Sequence, residues 1–290
     1  MDVLTLYPVV ESVCRALAAD NRSLLDFIST CKAVWQYRKS TAWRGVSVSV
    51  LKWDSSHKNA DLIVRVHKLT VRWCNIADVS VFSMVHELTL YYCYIIIDLS
   101  VLSKVHKVTL FDYPFNTDVS GLSSVHTLAL YVCPGITDVS TLGTVHNLTL
   151  DRCPFKNVFP LRTVYTLSLL NCGITDVSAL GTVYRLSLSN CPNITDVSAL
   201  SSVHILSLYG CLDITNVSAL SSVHRLQLYN CLTTDVSSLG TVHNLTLYGC
   251  PNITDVSSLS TVHTLVLYNC FSVTDISALS SVHSLSLDCL

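Results

Sequence analysis

Charged residues are scarce in this sequence, making up 13% of 290 residues, while 50% are hydrophobic. A chain this apolar can offset its ordering entropy by burial, which excludes intrinsic disorder. Long apolar runs are also missing. The most apolar stretch, from Tyr91 to Leu102, is interrupted by Asp98 and is shorter than the roughly 18 residues that a membrane-spanning helix needs. No basic-then-apolar leader opens the chain, so we expect no secretory signal.

Cysteine and histidine, in contrast, are abundant, with 13 and 11 residues. The chain is too long to be a typical disulfide scaffold, because such scaffolds are short secreted domains. Both residue types recur at regular intervals, which indicates an internal repeat rather than a concentrated chemical site.

The repeat begins at Val66 and has a period of 19 or 20 residues. Its pattern is V-H-x-L-x-L-x-x-C-x-x-I-T-D-V-S-x-L-x-x, and we call each copy a rung. The twelve opening valines are Val66, Val85, Val105, Val125, Val145, Val164, Val183, Val203, Val223, Val242, Val262 and Val282. A unit of this length fits one short strand, a turn and a return segment, which is typical of a parallel solenoid.

Alternation along the strand predicts which side chains are buried. In the rung that starts at Val125, Leu128 and Leu130 face the interior, whereas Thr127, Ala129 and Tyr131 face outward. The return segment adds Ile, Val and Leu to the same interior, and its Asp is expected to cap a short helical turn. One rung cannot fold alone, but a stack of rungs can.

These units resemble leucine-rich repeats, whose signature is L-x-x-L-x-L-x-x-N/C-x-L. The I-T-D-V-S-x-L segment is similar to that of bacterial internalin-type repeats, and the Cys resembles the cysteine-containing repeats of F-box proteins. The resemblance covers residues 62–290. It implies an α/β solenoid, a leucine-rich-repeat arc of about twelve rungs with a parallel sheet on its concave face. Because the units are short, we expect the side opposite the sheet to be thin.

Three repeat positions carry potential chemistry, and each has a simpler structural interpretation. We expect buried free thiols in the cysteine column rather than a metal or redox ladder, and neutral stacked rings in the histidine column rather than a metal stripe. The aspartates are expected to cap, because a ladder gives every carboxylate the same environment and catalytic pairs need different ones. We therefore predict no catalytic residue, no metal and no cofactor. The cysteine column consists of Cys74, Cys93, Cys133, Cys153, Cys172, Cys191, Cys211, Cys231, Cys250 and Cys270.

Recognition is expected on the outward face of the strands. Aromatic residues recur there beside small Thr and Ser side chains, and exposed aromatic stripes favour partner binding. Repeat copying, with each ring stacking on the next, would produce the same pattern. The predicted partner-binding residues of the concave face are Trp73, Tyr91, Tyr92, Phe111, Tyr131, Asp151, Arg152, Tyr209, Tyr229, Tyr248 and Tyr268.

One rung departs from the pattern. Residues 153–162 read C-P-F-K-N-V-F-P-L-R and lack the I-T-D-V-S segment, and Arg152, Lys156 and Arg162 lie at or beside this stretch. Such a departure in a uniform array points to a specific contact, although sequence drift would look the same.

The N-terminal segment, residues 1–45, shows helical spacing instead of the repeat. It resembles an F-box through Leu6-Tyr-Pro8, the Leu24-to-Trp35 stretch and Ala42-Trp43-Arg44, although Tyr7 interrupts the Leu-Pro pair and Trp35 lies one residue late. The alternative is a plain helical cap over the first rung. If the segment is an F-box, its predicted adaptor-binding residues are Leu6, Pro8, Val9, Val13, Leu24, Leu25, Ile28 and Trp35.

Two functions are consistent with this organisation. The F-box resemblance implies a substrate adaptor that docks a Skp-type adaptor of a cullin-RING ubiquitin ligase while residues 46–290 hold a target protein. The alternative is a stand-alone recognition or structural protein of the kind found in parasites and large viruses. We expect no enzyme, no nucleic-acid partner and no membrane partner. Unpaired thiols favour a reducing compartment, the cytoplasm or the nucleus.

Overall fold

The computed structural model describes the backbone of residues 47–50 and, in addition, residues 66–74, 77–96, 98–113 and 118–288. The chain divides into two compact units, Met1–Gly135 and Ile136–Leu290. The predicted F-box or cap segment, residues 1–45, lies outside the described residues, and so do all of its candidate adaptor contacts. No helix of the described residues is long and apolar enough to cross a membrane.

Among its described residues, the first unit contains five parallel strands that pair in chain order. Every pairing aligns equivalent repeat positions, so that Leu88 lies opposite Leu69 and Val108. The strand before the first complete rung pairs in the same way, with Val48 opposite Leu69. The strands are β1 Ser47–Val50, β2 Lys68–Arg72, β3 Glu87–Tyr91, β4 Lys107–Phe111 and β5 Thr127–Tyr131.

The second unit, as described up to Asp288, contains eight parallel strands in the same arrangement. Because rungs of 19 and of 20 residues stack without a shift in register, the missing residue of the shorter rungs is absorbed outside the strands. The strands are β6 Asn147–Asp151, β7 Thr166–Leu170, β8 Arg185–Ser189, β9 Ile205–Tyr209, β10 Arg225–Tyr229, β11 Asn244–Tyr248, β12 Thr264–Tyr268 and β13 Ser284–Asp288.

The core of each unit consists of the same set of interior side chains, repeated from rung to rung. In the rung of β9, Val203, Leu206, Leu208 and Cys211 are almost fully buried, as the alternation predicts, and Ile214 closes the rung from the return segment. Each such aliphatic side chain contributes about 2 kcal/mol on burial, so the stack as a whole can outweigh the entropy of ordering the chain. The predicted leucine-rich-repeat solenoid is confirmed.

The return segments end in 3-10 helices, and every helical element of the described residues is of this kind. Their i to i+3 bonds, such as Leu200 N–H to the Val197 carbonyl at 2.9 Å, need only one turn, which is all that so short a rung can hold. The side of each rung opposite the sheet is therefore thin, as predicted. The helices are Ser80–Phe82, Ser100–Leu102, Ser120–Leu122, Leu142–Thr144, Phe159–Thr163, Ser178–Thr182, Ser198–Ser202, Ser218–Ser222, Ser237–Thr241, Ser257–Thr261 and Ser277–Ser281.

The aspartate column caps these helical turns, as predicted. Asp255 Oδ1, for example, accepts the Ser257 backbone N–H at 2.8 Å, and this bond lowers the pKa of the Asp255 carboxyl. Asn216 accepts the Ser218 N–H in the same way at 2.9 Å, so the role needs only an acceptor oxygen and no charge.

A left-handed residue follows each of the strands from β2 to β12, and in most of these rungs its N–H extends the sheet by one hydrogen bond. Asn230 has φ 51°, and its N–H donates to the Tyr248 carbonyl at 2.8 Å. Gly210 and Gly249 occupy the same position with φ 60° and 61°. Asn and Gly tolerate this conformation, whereas Val132, with φ 54°, is β-branched and strained there.

Substitutions of the left-handed residue should therefore either raise or lower the stability of the fold. We expect Val132→Asn to raise the free energy of unfolding by about 1 kcal/mol, and Asn230→Val to lower it by about 1–2 kcal/mol. Urea unfolding followed by circular dichroism measures both changes. Equal unfolding midpoints for the two variants and the wild type would contradict the assignment.

Candidate functional site

The outer face of the sheet consists of the first, third and fifth residues of the strands from β2 onward. In β3 these are Glu87, Thr89 and Tyr91, which are partly exposed, whereas Leu88 and Leu90 are buried. We use the term outer face for this surface, which the repeat resemblance predicts to be concave. The third residue of most strands is Thr or Ser, so the side chain of the fifth residue lies beside small side chains on this face.

In the first unit the fifth position forms a continuous aromatic stack. Tyr91 and Phe111 lie 4.3 Å apart between ring centroids, and Phe111 and Tyr131 lie 4.5 Å apart, with interplanar angles of 7° and 8°. The Arg72 guanidinium lies 4.8 Å from the Tyr91 centroid. Both faces of Tyr91 and of Phe111 are thus occupied by neighbours within the unit, and the edges of these two rings remain for a partner.

In the second unit the equivalent tyrosines stack less regularly. Tyr209 and Tyr229 are tilted by 34° at 5.6 Å, while Tyr248 and Tyr268 are nearly parallel at 4.7 Å. Gln227 Nε2 donates to the Tyr229 hydroxyl at 3.3 Å. Tyr209, whose preceding rung carries Ser189 at this position, is 45% exposed.

A second group of rings lies at the turn that follows β2 and β3. Trp73 stacks on Tyr92 at 4.6 Å, and Tyr94 meets both rings edge-on at 6.4 and 6.3 Å. Trp73 is 52% exposed. We call Trp73, Tyr92 and Tyr94 the aromatic cluster. The sequence drew attention to the first two only, although an aromatic residue just after the ladder cysteine was a visible signal for Tyr94.

Asp151 and Arg152, also predicted to bind a partner, lie 3.9 Å apart between carboxylate and guanidinium. The Asp151 side chain is mostly covered and accepts the Asn171 amide N–H at 2.7 Å. Asn190 donates in turn to the Asn171 amide oxygen at 3.4 Å. Asp151 therefore anchors a short column of polar side chains, while Arg152 remains exposed.

The departing rung, residues 153–162, keeps the common architecture. Phe155 is buried in the place of the usual Ile, and Asn157 caps the Phe159 N–H at 3.0 Å. Pro160 lies in the first turn of the 3-10 helix, where its missing N–H does no harm. Arg162 lies 3.9 Å over the Phe159 ring. The unusual residues are thus accommodated by the solenoid itself.

The cysteine column is buried, as predicted. The Cys172 thiol donates to the Leu170 carbonyl at 3.2 Å and to the Leu150 carbonyl of the preceding rung at 3.5 Å. Burial raises the pKa of Cys231 to about 11 and that of Cys191 to about 12. These thiols are protonated at neutral pH, so they are poor nucleophiles and poor metal ligands.

The histidine column forms stacks of rings just before the strands, as expected. Neighbouring rings such as His243 and His263 lie 4.5 Å apart, and Tyr165 and Tyr184 continue the column at 4.7 Å. The pKa of His263 is lowered, first by loss of hydration and then by His283 and His243. The same causes lower the pKa of His106 beside His86 and His126.

Acid should therefore destabilise the protein. The unfolded chain, whose histidines titrate near pH 6.5, takes up protons before the folded chain does, so stability is full above this pH and declines below it. We expect a lower Tm at pH 5 than at pH 7.5, a window in which the capping carboxylates stay ionised. His263→Gln should lessen the decrease, and an unchanged wild-type Tm would contradict the assignment.

Comparison with known proteins supports the fold. No family model matches the chain, and no curated protein matches its sequence. An internalin (inlF) from Listeria monocytogenes is similar in structure, with a TM-score of 0.56, 19% identity and coverage of 94% of each chain. The chain folds as a leucine-rich-repeat protein.

Two other solved structures share this fold. One is the functional domain of InlJ from Listeria monocytogenes, which includes a cysteine ladder; its TM-score is 0.52 at 18% identity, over 86% of this chain and 63% of that one. The other is a TLR13–ssRNA13 complex, with a TM-score of 0.53 and 14% identity over 76% of this chain and 39% of that one. At these identities the likeness concerns the fold.

Proposed function

We propose that this chain is a non-catalytic recognition scaffold that binds a protein partner through the aromatic cluster and the adjoining Arg72 and Tyr91. The exposure of the aromatic cluster carries the proposal. Trp73 is 52% and Tyr94 38% exposed, whereas the interior positions of the same rungs are almost fully buried. Trp, Tyr and Arg are the residues that dominate the energetics of protein interfaces.

Backbone conformation adds independent support. Trp73 and Tyr92 have φ 59° and 56°, in the left-handed region where the rungs of β7 to β12 carry Asn or Gly. Holding a bulky side chain there costs about 1–2 kcal/mol. Strain of this kind concentrates at binding sites, and here it places two large rings side by side at the surface.

Charge favours a protein over a nucleic acid. Residues 71–290 carry eight Lys and Arg against fourteen Asp and Glu, a net charge of −6, which would repel a phosphate backbone. The RNA of the TLR13 complex is a ligand of that protein. The chemistry of the described residues also fits a scaffold better than an enzyme, because burial raises the pKa of thiols such as Cys191 and Cys231, and the aspartates with assigned bonds cap helical turns.

The aromatic cluster can be tested by quantitative affinity capture with the full chain. We expect the double variant Trp73→Ala, Tyr92→Ala to lose a partner that the wild type retains, with at least a tenfold loss of affinity when that partner is purified, because a hot-spot residue contributes about 2 kcal/mol or more.

The matched control is Tyr165→Ala, Tyr184→Ala. This pair is also stacked, at 4.7 Å, and both of its rings are exposed, but it lies in the histidine column instead of the cluster. A partner lost equally from both double variants, or from neither, would contradict a binding role for the cluster.

A finer proposal, which the F-box resemblance supports, is that residues 1–45 dock a Skp-type adaptor and so place a bound target within a cullin-RING ubiquitin ligase. Wild-type chain should then retain a purified Skp-type adaptor, and Leu24→Asp, Ile28→Asp should release it. Failure of the wild type to bind would reject the adaptor role and leave the recognition role untouched. This role, like the column of buried thiols, is suited to a reducing compartment such as the cytoplasm or the nucleus.

A further inference from the structure

Three potential metal ligands converge where the histidine column meets the outer face of the first unit. His67 Nε2 lies 3.9 Å from Glu87 Oε1, and the ligand atoms of His67, His86 and Glu87 all lie within 4.8 Å of one another. Within the described residues, this is the one group of three His, Cys, Asp or Glu side chains close enough to hold an ion.

Glu87 makes this place different from the rest of the column. Stacked histidine pairs recur along both units, but the strand residue that follows the second histidine is elsewhere Lys, Arg, Ile or a neutral polar residue, as at Lys107, Arg225 and Thr264. Two imidazoles one rung apart therefore become a three-ligand set only here, where register places Glu87 beside Lys68.

We propose that His67, His86 and Glu87 form a surface site for a divalent transition-metal ion of the zinc type. Two neutral imidazoles and one carboxylate are a ligand set that Zn²⁺ uses with water in the fourth position. Such nitrogen-containing sets favour Zn²⁺ and its neighbours over Mg²⁺ and Ca²⁺, which prefer oxygen. The proposal departs from the sequence-based expectation of no metal, and it is independent of the partner-binding function.

To bind an ion, the three ligand atoms need to move only slightly closer together. Ligands at about 2.0–2.1 Å from a tetrahedral ion lie about 3.3 Å apart, so the present separations must shrink by roughly 0.6–1.5 Å. The His67 and Glu87 side chains are 38% and 26% exposed, so neither is enclosed by the core. The two rings, stacked at 4.4 Å, must tilt out of parallel so that their nitrogen lone pairs meet at one point.

Neighbouring residues also oppose metal binding at this site. Lys68 and Lys107 flank Glu87 in the sheet, and their charge disfavours a cation. His106 stacks on the other side of His86, at 4.6 Å, and must either follow the tilt of that ring or lose the contact. The carboxylate is consequently the ligand on which affinity should depend most.

The test is a Zn²⁺ titration of the metal-free full chain at pH 7.5 against a chromophoric chelator. We expect the wild type to bind one Zn²⁺ that Glu87→Gln binds at least about tenfold more weakly. Ring resonances of His67 and His86 should shift on binding, whereas those of His243 and His263 should not. Equal affinity of the wild type and Glu87→Gln, or no binding by the wild type, would overturn the proposal.

The repeat also offers a gain-of-function variant. His243 and His263 stack at 4.5 Å, much as His67 and His86 do, and Thr264 occupies the position of Glu87. Glu87→Gln combined with Thr264→Glu should therefore restore tight Zn²⁺ binding and move the shifted ring resonances to His243 and His263. Circular dichroism checks that both variants are folded, and failure of the transfer would show that the three-ligand set is insufficient and overturn the proposal.

Discussion

In-register hydrogen bonding between parallel strands is the constraint from which the other features of this protein follow. A five-residue strand satisfies its backbone groups only against the next rung, and its Leu side chains are buried only between neighbours. Register then places each repeat position directly above its copy, about 4.8 Å away. At that spacing planar rings stack, thiols reach the carbonyl of the preceding rung, and equivalent side chains form columns along each unit.

Most residues that repeat in a column have a structural role, so the positions where neighbouring copies differ are the ones that indicate function. Copies of one residue share a similar environment, so the capping aspartates and the buried cysteines are explained by their place in a column. Binding capacity arises where neighbouring copies differ. Glu87 beside two histidines and the large rings of Trp73 and Tyr92 at left-handed positions are such differences. Each places a side chain with strong binding chemistry into a surface that is otherwise uniform.

The departing rung shows that a difference in sequence is not by itself a difference in structure. Phe155 takes the place of Ile, and Asn157 takes the place of Asp, so the rung closes as its neighbours do. Asp151, a predicted partner-binding residue, accepts a hydrogen bond from Asn171 of the next rung. Both outcomes depend on packing and hydrogen bonding between rungs, which a linear pattern does not express.

By itself, the sequence determined the period, the buried set and the outward set, because alternation along a strand and repetition between strands are linear properties. It also predicted the capping aspartates and the stacked histidines from their repeat positions. Only the tertiary structure decided that the residue after each strand from β2 to β12 is left-handed, that neighbouring rings of the outer face stack, and that Glu87 lies close to His67. These depend on φ angles and side-chain rotamers, which are set by contacts between rungs and not by the order of residues within one.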